Sequence, residues 1–176
     1  RMTTTENDTA IAGAVACAGA RSFPTAAGVL FGLGLGGFFD GIVLHQILQW
    51  HHMLSSAGFR PDSVQNLQIN TLWDGIFHAS TYVFVVAGLA VLWRRAHRQH
   101  LWWSTRLLIG TMLIGFGAFN VIEGLVNHHL LGIHHVRDLP VHVPAYDWLF
   151  LGVGGLAFIA IGWWLSHPPR PTWRGG

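Results

Sequence analysis

The 176-residue chain is short of charge: Asp, Glu, Lys and Arg make up 10% of it, against 51% hydrophobic residues. A soluble domain carries about 25% charged residues, so the shortage argues against a soluble fold and for a membrane protein. Cysteine is nearly absent. Cys17 alone allows no internal disulfide and no thiolate cage, which leaves imidazole and carboxylate to hold any metal. Three methionines are too few for a methionine relay of Cu(I). A net charge of +2, with arginines gathered at segment ends, argues against nucleic acid as a partner. Glycine (22 residues), histidine (12) and tryptophan (9) are plentiful.

Four apolar stretches, near 24–54, 70–93, 102–132 and 144–165, are long enough to cross a bilayer as helices. Pro24 suits a first helical turn, Arg94-Arg95 closes the second stretch, and Pro168-Pro169 follows the fourth. The expected fold is all-α: an integral membrane four-helix bundle over residues 24–167, between an N-terminal tail (1–23) and a cytoplasmic C-terminal tail (168–176). Residues 10–20 are apolar but built mainly from Ala, Gly, Val and Cys, and are read as part of that tail, a cleaved signal peptide being the alternative.

Arg94, Arg95, Arg98 and Arg106 sit at the connection between the second and third spans, whereas the other two connections hold only Arg60 and Arg137. The positive-inside rule then puts both termini and the middle connection in the cytoplasm, and the other two connections outside. Gly28, Gly32 and Gly36 fall four apart, and Gly110, Gly117 and Gly124 seven apart. Such rows let membrane helices approach closely, within the chain or between copies of a homo-oligomer.

One histidine-bearing segment occurs twice. Asp40-Gly41-Ile42-Val43-Leu44-His45 ending in His51-His52 matches Glu123-Gly124-Leu125-Val126-Asn127-His128 ending in His134-His135, 83 residues on (40 to 123). Over the 22 positions from Phe31 and Ile114, eight are identical without a gap. The following helices match as well, Trp73-Asp74 with Tyr146-Asp147, 73 residues on (74 to 147). Each half is then one helix pair, and two halves in the same membrane orientation predict a pseudo-two-fold axis along the membrane normal.

Ionisable groups inside a membrane segment are costly and point to function. The candidate metal ligands are His45, His51, His52, Asp74, His78, His128, His134, His135 and Asp147. At about 100° per residue, His45 and His52 share one helical stripe, and Asp40 and His51 another about 120° away. Both stripes cannot face one ion. His45, His52, His128 and His135 therefore lead the ligand pool, and Asp40 and Glu123 are assigned proton handling, helix orientation or a second ion. Asp74 and His78, one turn apart, can ligate together or form a carboxylate–histidine pair. Leu151 replaces the counterpart of His78 in the fourth helix, so the halves are not equivalent.

Imidazole and carboxylate without thiolate suit copper, iron or zinc, and the number of ligands allows a dinuclear site like those of di-metal four-helix bundles. A single haem between His45 and His128 is the competitor, but it leaves the His-His pairs and both deep acids unexplained.

The run Phe39-Asp40-Gly41-Ile42-Val43-Leu44-His45-Gln46-Ile47-Leu48-Gln49-Trp50-His51-His52, with Glu123-Gly124, Asn127-His128-His129 and His134-His135, resembles a bacterial inner-membrane family catalogued as a domain of unknown function. The resemblance covers nearly all of residues 24–166 and implies a four-helix bacterial membrane protein, with a respiratory or metal-handling protein as its associate. It supplies no ligand set and no reaction. The expected function is metal-dependent redox or O2 chemistry. The alternatives are copper or zinc handling linked to respiratory oxidase assembly, and a single-haem electron carrier.

Overall fold

The computed structural model describes residues 21–98 and 101–167. Residues 10–20 and the tail 168–176 lie outside the described residues. Among the described residues, four helices are long and apolar enough to cross a membrane: α1 (Thr25–Ile47), α2 (Val64–Arg98), α3 (Thr105–Leu130) and α4 (Pro144–Ser166). A two-residue parallel pairing of Arg21–Ser22 with Leu101–Trp102 ties the start of α1 to that of α3. Ser104 caps α3, its Oγ accepting from the Leu107 N–H at 3.2 Å. Pro144 opens α4.

The α1–α3 pair is the heart of the bundle; α2 packs on α1 and α4 on α3. Both glycine rows lie at these contacts. A Cβ on Gly32 would run into the Met112 carbonyl, one on Gly28 into Thr111, and one on Gly36 into Phe119, so this row carries α1 against α3. Gly110 meets Gly162 and Ser166, Gly117 the Gly155 carbonyl and Gly124 Leu151, so the second row carries α3 against α4. Contact without side chains brings backbones together where lipid offers no hydrophobic drive for association. The outward faces of α2 and α4 expose Leu72, Val83, Leu89, Trp148, Leu156 and Trp164, a surface suited to hydrocarbon.

Three of the helices do not keep an α pitch. Asp40–Ile47 in α1, Gly124–Leu130 in α3 and Phe150–Ala157 in α4 are wide π turns. Their i→i+5 hydrogen bonds place residues five apart on one face. The two histidine helices also end alike. Leu48 N–H donates to the Val43 carbonyl and Leu131 N–H to that of Val126, both at 2.8 Å. One residue later the chain turns through a left-handed conformation, at Gln49 (φ 49°) and at Gly132 (φ 58°). These turns stop α1 at Ile47, short of the limit expected near residue 54, and free the His-His pairs to fold back over the helix ends. In α4 the wide turn leaves the Gly154 carbonyl to accept from Asn120 Nδ2 at 2.9 Å.

Candidate metal centre

The largest fully buried side chains are mostly polar: His45, His51, His128, His134, Asn70, Asp40 and Asp74 are among them. The histidines and acids gather where the connections α1–α2 and α3–α4 fold over the bundle. The wide turn in α1 lays His45 over Asp40, Nε2 standing 3.1 Å from Oδ2. That in α3 lays His128 over Glu123, Nε2 standing 3.1 Å from Oε2. The 120° separation expected from an α pitch is thereby removed. His51 comes off the turn at Gln49 with Nε2 3.8 Å from Asp40 Oδ1. His134 comes off the turn at Gly132 with Nε2 2.7 Å from Glu123 Oε1. Their rings stack on each other, centroids 4.6 Å apart and planes 4° from parallel.

A neutral imidazole offers a lone pair on one nitrogen only when the other carries the proton. Here the Nδ1 side is hydrogen-bonded in three of the four rings, and that of His128 faces a carboxylate without a hydrogen bond. His45 Nδ1–H donates to Asp74 Oδ1 at 2.8 Å. His51 Nδ1–H donates to the Val136 carbonyl at 2.9 Å, and His134 Nδ1–H to the Met53 carbonyl at 3.0 Å. His128 Nδ1 stands 3.4 Å from Asp147 Oδ1. Four Nε2 atoms are left aimed at two buried carboxylates. Asp40 Oδ1, His51 Nε2, Glu123 Oε2 and His128 Nε2 are buried without a hydrogen-bond partner, a cost that native interiors rarely carry. Nδ1–H held by a carboxylate or carbonyl while Nε2 faces inward is the arrangement of metal-binding histidines.

Beyond the membrane helices, His51 is pushed below its ordinary pKa by burial, keeping it neutral. For His134 burial acts in the same direction, but the Glu123 carboxylate outweighs it and holds the pKa above the ordinary value.

Among the described residues, two fully buried three-residue groups have ligand atoms within 4.8 Å of one another: His45, His51 and His134, and Glu123, His128 and His134. They share His134, and Asp40 borders the first. Metal–ligand bonds of about 2.0–2.2 Å fit such spacings after small adjustments. The buried clusters can therefore hold metal.

The outer pair members His52 and His135 lie one step out, on the other side of Asp74 and Asp147. His52 Nδ1–H donates to Asp74 Oδ2 at 2.7 Å, and His135 Nδ1 stands 3.1 Å from Asp147 Oδ2. The same two carboxylates accept the backbone N–H of Met53 (2.9 Å) and of Val136 (2.8 Å). Each acid thus orients a buried imidazole and pins the loop that follows its histidine pair. His78 stands apart from these groups. Its Nδ1–H donates to the Asp74 backbone carbonyl at 2.7 Å rather than to the carboxylate, and its ring packs where a Gly41 Cβ would lie.

His142, outside the ligand pool expected from sequence, joins the group around Asp147. Its Nε2–H donates to Asp147 Oδ2 at 3.1 Å, and its ring stacks on His135. The one available signal was its place five residues before Asp147. The Met53 and Val136 carbonyls, being backbone, gave none beyond following each His-His pair.

Residues 27–168 match the model of a family described as "Predicted membrane protein (DUF2243)". The chain belongs to that family. The span matched by the family contains every residue of both clusters and all but the first two residues of α1. No curated protein and no solved structure matches the chain.

An apolar cavity of about 230 Å³, lined by Leu33, Phe77, Phe84 and Phe119, reaches Glu123 and Asn127 between α1, α2 and α3. Asn127 Nδ2 donates to Glu123 Oε1 at 3.3 Å.

Proposed function

We propose that this is a membrane metalloprotein with a dinuclear transition-metal centre that carries out redox or O2 chemistry. Asp40, His45 and His51 form one half of the centre and Glu123, His128 and His134 the other. A pseudo-two-fold axis runs between the stacked rings of His51 and His134. The observation that carries the reading is the set of four inward Nε2 atoms, with Nδ1 turned outward, around two buried acids that are only partly hydrogen-bonded.

Charge supports two ions rather than one. Asp40, Asp74, Glu123 and Asp147 are buried together, and two divalent cations balance four carboxylates in a medium where uncompensated charge is costly. Copper and iron suit both the ligands and redox chemistry; zinc fits the ligands alone. Asp40 and Glu123 can also take up protons beside the ions, and the apolar cavity at Glu123 suits a small apolar molecule such as O2 arriving from the bilayer. The arginine distribution favours a bacterial inner-membrane orientation with both termini cytoplasmic and the centre toward the outer side.

Metal handling is the second reading, supported by the partly exposed His135 and His142 beside Asp147. The tightly braced buried imidazoles favour a resident centre over cargo.

Elemental analysis of the purified chain, together with an optical spectrum, tests the proposal. About two ions per chain are expected; less than about 0.1 per chain, unchanged after reconstitution, rejects a metal centre. A Soret band would replace the reading with a haem carrier.

A further inference from the structure

The second half carries a group that the first does not. His135 Nδ1 and His142 Nε2 both stand 3.1 Å from the same oxygen, Asp147 Oδ2. Their rings stack with centroids 4.0 Å apart and planes 18° from parallel. The ligand atoms of the three residues lie within 4.8 Å of one another. The two imidazoles are 23% and 40% exposed, while Asp147 is buried. His135 Nδ1 is itself buried and has no hydrogen-bond partner. In the first half the corresponding acid, Asp74, has His52 alone on that side. Position 69, which matches His142 at the offset joining Asp74 to Asp147, is Ile69.

Asp147 faces two ways. Oδ2 looks toward the surface pair, whereas Oδ1 accepts from the Val136 N–H and lies 3.4 Å from His128 Nδ1. We propose that His135, His142 and Asp147 form a separate, exchangeable site for a divalent transition-metal ion, which loads the buried centre through the Asp147 carboxylate. Three ligands at 3.1 Å O–N spacing suit metal bonds of about 2.0–2.2 Å and leave a coordination position open to solvent. An open position and partial exposure make the ion exchangeable, whereas the buried groups are closed. The loading role rests on the centre proposed above; binding at the surface group does not.

The test uses the full chain in detergent, stripped of metal and titrated with Co²⁺, whose visible bands report nitrogen and oxygen coordination, with Zn²⁺ as competitor. Wild type should show one weak ion per chain, removed by brief chelation, besides the tightly held ones. His142→Ala should lose the weak ion, keep the tight stoichiometry at the end point, and fill the tight sites about tenfold more slowly. His134→Ala should lose tight binding and keep the weak ion, so failure of the buried centre and failure of the surface site give different results. His129→Ala, at an exposed histidine stacked on Trp148, should change neither. Retention of the weak ion in His142→Ala overturns the site, and its loss with unchanged filling overturns the loading role.

Discussion

The two halves of the molecule make the same contacts with different tolerances. In the first, Asp40 lies 3.1 Å from His45 and 3.8 Å from His51, and Asp74 takes His45 at 2.8 Å and His52 at 2.7 Å. In the second, Glu123 has one more methylene and reaches both His128 (3.1 Å) and His134 (2.7 Å), while Asp147 stands 3.4 Å from His128. The longer acid reaches its loop histidine more closely, the helix histidines stand equally far from their inner acids, and the outer acid stands nearer its helix histidine in the first half. His52 is buried, whereas His135 is partly exposed and joined by His142. One pattern thus gives a closed half and a half open to the surface, and the difference lies in an acid's length and a single added histidine.

Four measurements break or sharpen that comparison. His134 belongs to both buried groups and His51 to one, so tightly held metal should fall to near zero in His134→Ala but by one ion in His51→Ala; equal losses would make the groups independent. Chelation should lower thermal stability by about 3–4 kcal/mol for ions held at a hundredfold to a thousandfold excess over Kd, and most of that effect should be missing from His134→Ala. Asp74→Asn should weaken metal binding about 10–100-fold, and Asp147→Asn should do less to the buried ions. The basis is that Asp74 holds its buried imidazole at 2.8 Å and Asp147 at 3.4 Å; the reverse order would deny these acids an orienting role. Smallest is the effect of the turns. Gln49→Gly should stabilise and Gly132→Ala destabilise, each by about 1 kcal/mol in thermal unfolding, because a side chain strains the left-handed conformation at both positions.

The bundle was legible because its signals are local and redundant. Scarce charge marked four spans, and the spacing of Gly28, Gly32 and Gly36 marked the face that α1 turns to α3. The offset of 83 residues also named Asp40, Glu123 and the three histidines that follow each, and the structure gathers these beside the inner and outer acids. Their arrangement was not legible. Rotation by 100° per residue assumes an α pitch, and the wide turn over Asp40–Ile47 restores Asp40 to the side of His45. The end of α1 differs from the expected limit for a related reason: the turn at Gln49 uses a residue with no special left-handed preference, so nothing in its identity announces it. His78 looked like a partner for the Asp74 carboxylate, but the four-residue spacing serves equally well for the backbone carbonyl it bonds. Acceptors such as Met53 and Val136 act through main-chain atoms, which side-chain identity does not report.

The two loops hold each other's histidine: His51 leans on a carbonyl of the later hairpin and His134 on one of the earlier. Neither hairpin can aim its own ring without its sister. Severed between α2 and α3 and produced as two polypeptides, the pieces should still seek one another in the bilayer, and the pocket for metal should exist only in the reunited pair.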